Sequence, residues 1–161
     1  MKTKNSLILF FILTFVLSCD KKRIFDQYQF IGNFWDKDTI ISFSFYQEDT
    51  LSLYNSFINI QNNDHYPYEN LFLIISLEQP NGMIQIDTLE YLMANPDGTL
   101  LGKGFSDIKE NKLWYKENIN FPKKGNYTLK IQHATREMGK VQGVQKLEGI
   151  SEIGFRLESK E

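Results

Sequence analysis

Residues 39–45 read Thr39-Ile40-Ile41-Ser42-Phe43-Ser44-Phe45, and this short run decides the fold class. Ile41, Phe43 and Phe45 fall on one side of an extended chain and Ser42 and Ser44 on the other, the period of two that marks a half-buried β-strand. Residues 71–77, Leu-Phe-Leu-Ile-Ile-Ser-Leu, are apolar at nearly every position. Such a run reads as a central strand covered on both faces.

Outward from these two stretches the same grammar recurs. Ser52 to Gln61 carries Ser56, Ile58 and Ile60 in alternation, and the polar loop Asn62 to Pro67 follows it. Pro80-Asn81-Gly82 is a hairpin signal, because Asn-Gly accepts the positive φ values that tight turns need. Met83 to Tyr91 then reads as the returning strand. Asn95-Pro96-Asp97-Gly98 is a second turn, and Gly102-Lys103-Gly104 reads as irregular loop. Leu113 to Ile119 is a weaker strand candidate. Tyr127, Leu129, Ile131 and His133 line one face of a further strand, and Ile153, Phe155 and Leu157 line one face of the last. A single helical turn is expected only near Asp107 to Asn111.

Seven or eight short strands with turns between them and no intervening helices predict an all-β fold: an antiparallel β-sandwich, jelly-roll or immunoglobulin-like, with an open barrel as the alternative. With 13 Phe, 8 Tyr and 2 Trp in 161 residues, the chain has the material for a sizeable core.

The N-terminus has a different character. Lys2 and Lys4 precede the apolar run Leu7 to Leu17, broken only by Thr14. A helix of that length rises about 17 Å, against a hydrocarbon core of roughly 30 Å, so it is too short for a lasting span. Val16-Leu17-Ser18-Cys19 resembles a lipobox, although Leu17 is bulkier than usual at its position. Cys19 is the only cysteine, which leaves an exported chain no internal disulfide and places its one thiol where lipid attachment requires it. The expected organisation is a cleaved lipoprotein signal peptide over 1–18, a lipidated N-terminus and tether over 19–30, and a single sandwich domain over 31–161. Ile24 to Phe30 reads as either an edge strand or the end of the tether. The expected membrane contact is the diacylglyceryl group on Cys19 with an N-acyl chain such as palmitate. Asp20 and the basic Lys21, Lys22 and Arg23 leave open which envelope membrane holds the chain, and whether it faces the periplasm or the surface.

Composition narrows function mainly by exclusion. Without Lys2 and Lys4 the chain carries 16 basic and 20 acidic residues, a net charge near −4. That acidic balance argues against nucleic acid as a partner. His65 and His133 are not spaced as metal ligands, no Gly-x-Ser-x-Gly elbow occurs, and the one thiol is assigned to lipid, so the expectation is no enzyme, no cofactor and no metal site. Asn62, Asn63 and Asp64 offer the oxygen ligands calcium prefers, but ordinary loop polarity is the preferred reading of them. The paired acids Asp36 with Asp38, Glu48 with Asp49, and Asp107 with Glu110 read as solvated charge. Aromatics in loop-like segments stand out: Phe34 and Trp35, Tyr66 and Tyr68, Trp114 and Tyr115. Flat rings on a sandwich edge can stack on sugars or anchor a protein.

Taken together, Val16-Leu17-Ser18-Cys19-Asp20, Phe25-Asp26-Gln27-Tyr28, Asn70-Leu71-Phe72-Leu73, Asp87 to Tyr91, Ala94 to Gly98, Leu101 to Phe105, Asp107 to Tyr115, Leu147 to Ile150 and Gly154 to Leu157 resemble, in order along the chain, the gliding motility lipoprotein GldH family. The resemblance implies a lipid-anchored, non-enzymatic envelope component required for gliding, with other proteins of the gliding and type IX secretion machinery as partners. Only Cys19 carries over as a functional residue, as the lipid attachment site. The candidate partner- or glycan-binding residues are Trp35, Tyr66, Lys103, Trp114 and Tyr115. An envelope glycan-binding lipoprotein that stacks sugars on Trp35 or Trp114 is the alternative.

Overall fold

The computed structural model describes residues 22–160, and the signal peptide and Cys19 lie outside them. Ten strands follow in order: β1 (Arg23–Phe30), β2 (Phe34–Asp36), β3 (Ile41–Gln47), β4 (Tyr54–Asn62), β5 (Asn70–Glu78), β6 (Ile84–Leu92), β7 (Lys109–Ile119), β8 (Gly125–His133), β9 (Lys146–Glu148) and β10 (Ile150–Ser159). Two four-stranded antiparallel sheets, β1-β10-β4-β7 and β3-β8-β5-β6, face each other, and β2 and β9 form a two-stranded sheet.

The pairings are nested. β5 pairs with β6, β4 with β7, β3 with β8, β2 with β9 and β1 with β10. One long antiparallel hairpin, rolled until its successive pairs land in alternate layers, produces this pattern, and it is the jelly-roll form of the two sandwiches expected. Nesting also brings the two chain ends together: the Ser159 amide donates to the Lys22 carbonyl at 2.7 Å.

Between the layers lie Phe43, Phe45, Ile58, Ile60, Leu73, Ile75, Leu129, Ile131, Phe155 and Leu157, all buried. The predicted alternation in β3, β8 and β10 thus points the predicted side chains inward. The layer edges are joined by side chains. On one side the Phe25 and Phe45 rings lie 5.5 Å apart and Gln29 donates to the Ser42 carbonyl at 2.6 Å. On the other, the Tyr115 hydroxyl and Lys116 Nζ both reach Asp87, each at 2.8 Å.

Four expectations need correction. The tether assigned to 19–30 ends sooner, because Arg23 to Phe30 is β1, an edge strand whose Phe25 packs against the core and whose Gln29 bonds the backbone of β3 at the surface. The helical turn expected near Asp107 to Asn111 is absent, and β7 starts at Lys109, well before Leu113, because Lys109 to Lys112 find ladder partners on β4. β5 is central in its sheet but covered on one face only: Leu71, Leu73, Ile75 and Leu77 are buried, whereas Ile74 is 36% exposed. The strand buried nearly throughout is instead β4, where Phe57 and Asn59 on the outer face are covered by side chains of the flanking strands.

The sandwich has two unlike ends. At one, Lys22 and Lys160, the ends of the described segment, meet the short connections 48–53, 79–83 and 120–124. The other carries the long connections 93–108 and 134–145 and the β2–β9 pair.

Candidate partner-binding surface

Alternation along β7 sends Glu110, Lys112 and Trp114 to the outer face, opposite Gln61, Asn59 and Phe57 of β4. Trp114 lies on Phe57 with ring centroids 4.4 Å apart, which buries Phe57 and leaves Trp114 54% exposed. Lys112 sets its Nζ 3.9 Å above the Phe57 ring and 2.7 Å from Glu158. Arg156 binds Glu158 at 2.5 Å and Asp26 at 2.8 Å. Burial alone would raise the Glu158 pKa, but Lys112 and Arg156 outweigh it and hold the carboxyl below its ordinary value. The Tyr28 hydroxyl donates to Glu110 at 2.8 Å and accepts from Asn59 Nδ2 at 2.7 Å. Burial first, then the Glu110 carboxylate, pushes the Tyr28 phenol up, so it is neutral at every physiological pH.

β7 is the outermost strand of its sheet among the described residues, and the Tyr91 hydroxyl donates to its Trp114 carbonyl at 2.6 Å. Ahead of it the chain turns back as a compact flap: the Lys103 amide donates to the Glu110 carbonyl at 2.8 Å and the Glu110 amide returns to the Lys103 carbonyl at 2.7 Å. Gly104 permits the fold, since a Cβ there would sit 2.2 Å from the Ile108 carbonyl oxygen. The flap presents Phe105, 96% exposed, with Ile108 half-exposed beside it. Phe105, Ile108 and Trp114 are the exposed apolar side chains along the flap and β7, an interrupted stripe with Glu110 and Lys112 between Ile108 and Trp114. Lys112, Arg156, Glu158 and Asp26 of that face are engaged with one another and Glu110 with the Tyr28 hydroxyl, and its exposed apolar groups on β7 and the flap are Trp114, Ile108 and Phe105.

The structure separates the residues singled out from sequence. Trp35 is fully buried in the two-stranded sheet, its ring 5.3 Å from His133 and its Nε1 donating to the Thr39 carbonyl at 2.9 Å. Tyr66 is buried with its hydroxyl on the Asn70 carbonyl at 2.6 Å. Tyr115 is buried on the inner side of β7. These three rings are packed into the core. Lys103 and Trp114 are exposed, on the flap and on β7. Phe105, Met138 and Val141, all almost fully exposed, were not legible as candidates. The only signal was an apolar residue among the glycines and polar residues of a loop.

Among the described residues no group of three or more His, Cys, Asp or Glu side chains is placed to hold a metal ion. The Asn62 amide oxygen takes a hydrogen bond from Asn111 at 2.7 Å, and Asn63 Oδ1 takes the His65 amide at 3.0 Å. No helix of the described residues is long and apolar enough to cross a membrane.

Fold and surface define a small jelly-roll module with a rigid, internally paired outer face and an apolar stripe along one edge. The sequence profile of the GldH lipoprotein family matches residues 23–157, and the chain belongs to that family. It is 51% identical to the gliding motility lipoprotein GldH of Flavobacterium johnsoniae over 161 residues, the whole of both chains. It is 49% identical to the gliding motility lipoprotein GldH homolog of Christiangramia forsetii over 153 residues, 94% of each chain. Among solved structures, a family GH115 4-O-methyl-alpha-glucuronidase, BtGH115A, is similar over 89% of this chain and 18% of its own, with 12% identity and a TM-score of 0.45. A likeness of that size carries no argument about function.

Proposed function

We propose that the protein is a lipid-anchored, non-enzymatic component of the gliding machinery, held in an envelope membrane by the acyl groups on Cys19. Its sandwich domain assembles or stabilises other envelope proteins of the gliding and type IX secretion apparatus. Relatives named for gliding motility that match all or 94% of the chain support the broad role. The observation that carries the partner-binding role is the β7 stripe, where Trp114 and Phe105 stay exposed on a framework stiffened by buried hydrogen bonds and ion pairs. Exposed aromatic side chains on a rigid frame are the usual anchors of protein interfaces. A lipid anchor adds to this by confining the domain to two dimensions and raising its effective concentration for neighbours in the same membrane. Sugar stacking loses its second platform with Trp35 buried, and the protein-partner reading is preferred.

The test is genetic and biochemical together. In a strain lacking the gene, the wild-type chain restores colony spreading and brings down envelope proteins after mild crosslinking. A chain carrying Phe105→Asp and Trp114→Ala reaches the same level in the membrane fraction but restores little spreading and captures less. Full spreading and unchanged capture by that variant would remove the stripe from the mechanism.

A further inference from the structure

The nested pairing puts five features at one end of the sandwich: both chain ends and the connections 48–53, 79–83 and 120–124. Cys19 precedes Lys22 by three residues, a stretch that spans at most about 11 Å when fully extended. Lys22 is itself tied to the body, through the Ser159 amide on its carbonyl. A lipid on Cys19 therefore leaves this end of the domain almost no freedom to stand away from the bilayer.

The residues at that end suit such a position. In the connection 48–53, Asp49 Oδ1 accepts the amides of Leu51 at 2.8 Å and Ser52 at 3.1 Å, a side-chain turn that holds Leu51 outward and 90% exposed. Leu53 is 42% exposed and its carbonyl takes the Lys160 amide at 3.3 Å. Leu51, Ser52, Leu53, Ser159 and Lys160 line a shallow groove of about 550 Å³. Around it stand the exposed cations Lys22, Arg23, Lys123, Lys124 and Lys160. The described acids towards the same end are Glu48, which pairs with Lys124 at 2.5 Å, Asp49, Glu78, which pairs with Lys130 at 3.2 Å, Glu117, and Glu158, which pairs with Lys112 at 2.7 Å.

We propose that this end is a membrane-contact surface, with Leu51 and Leu53 seated in the interface of the bilayer that holds the Cys19 lipid and the lysines on anionic phospholipid headgroups. Apolar side chains rimmed by lysine suit that boundary, where the leucines leave water and each ammonium stays with phosphate. The domain then stands upright. β10, ten residues long, spans about 33 Å at roughly 3.3 Å per residue, which carries the flap with Phe105 well clear of the lipid and open to partners. This inference rests on the lipid anchor of the proposed function.

The test uses the full lipidated chain in vesicles of phosphatidylethanolamine and phosphatidylglycerol with brominated acyl chains, which quench only nearby tryptophan. Leu51→Trp and Phe105→Trp are compared, each against the unsubstituted chain. Both positions are exposed, so either ring is accommodated without repacking. The Leu51→Trp chain loses most of its added emission and the Phe105→Trp chain keeps its own. Equal quenching of the two, in chains that float with the vesicles, would overturn the contact while leaving the anchor intact. A chain that does not float would remove the anchor and the contact with it. Lys123→Glu together with Lys124→Glu lowers the Leu51→Trp quenching, and unchanged quenching would exclude a headgroup role for those lysines. Amide hydrogen exchange over 48–53 that slows on vesicles gives an independent reading in the natural sequence.

Discussion

The two tryptophans of this chain invite the same sequence-level reading, and replacing each by alanine separates a packing role from a binding role. Trp35 is fully buried, packs edge-on to His133 and gives its indole N–H to the Thr39 carbonyl. Emptying a closed aromatic site costs about 3–5 kcal/mol in transfer and cavity terms. Leaving the Thr39 carbonyl without its donor adds about 1 kcal/mol, for a total near 4–6 kcal/mol. Whole domains are stable by about 5–15 kcal/mol, so Trp35→Ala uses up a large part of the margin. Trp114 is 54% exposed and covers Phe57 from one side. Its removal withdraws roughly half of a large side chain's burial, about 1–2 kcal/mol.

At about 3–4 °C per kcal/mol for a domain of this size, Trp35→Ala lowers the melting temperature by about 12–24 °C and Trp114→Ala by about 3–8 °C. Far-UV circular dichroism of the lipoprotein in non-denaturing detergent measures both. The cellular counterpart is an immunoblot beside a spreading assay. Trp35→Ala loses motility through loss of folded protein, whereas Trp114→Ala loses it at a normal protein level. Comparable melting shifts, or normal abundance of the Trp35→Ala protein with no spreading, would refute the assignment of Trp35 to the core alone.

Gly149 joins β9 to β10 with φ at +76°, and a Cβ on it would lie 2.2 Å from the Tyr66 backbone nitrogen; Gly149→Ala should cost several kcal/mol, read as a lowered urea midpoint, because the obstacle is backbone and cannot rotate aside. Burial lowers the His133 pKa below its ordinary 6.5, Asp36 and Lys37 acting in opposite directions beside it. The unfolded chain therefore binds a proton that the folded one refuses, and stability falls as pH drops through 6.5 towards the folded-state value. Urea midpoints at pH 7.5 and near pH 5.5 should show that decline, and His133→Leu should flatten it. Cys19→Ser should release the chain from the membrane pellet to the soluble fraction and abolish the lipid mass increment; a membrane-bound serine variant would count against the anchor.

Much of the fold was legible because one physical signal, alternation against a buried layer, is local. In β3, β8 and β10 the inner residues are apolar at every second position, and the structure buries those residues. The jelly-roll pairing was less legible, since it rests on contacts such as Asp26 with Arg156, which are 130 positions apart, and nothing local marks them. β5 and β4 show where the signal misleads. Phe72 and Ile74 suggest a strand covered on both faces, yet cover depends on what lies outside the sheet, and polar Gln132 of β8 and Thr88 of β6 flank Ile74 there. Asn59 suggests a surface, yet Tyr28, some thirty residues earlier, reaches across to take its amide hydrogen and bury it.

The candidate site was less legible for the same reason. Trp35, Tyr66 and Tyr115 sit in stretches that look like loops or weak strands, and their burial follows from partners distant in sequence: Leu147 across from Trp35 in the small sheet, and Asp87 at the Tyr115 hydroxyl. Exposure is a property of the assembled surface, so a ring's chemistry suggests what it can bind without saying whether anything can reach it. Phe105 is the converse. Its neighbours Gly104 and Ser106 mark a turn, and it becomes a candidate only once the Lys103–Glu110 bridge is seen to fix that turn and hold the ring in solvent. Leaving so large a ring exposed on an ordered turn forgoes burial worth about 2–3 kcal/mol, and a partner that covers it would recover that energy.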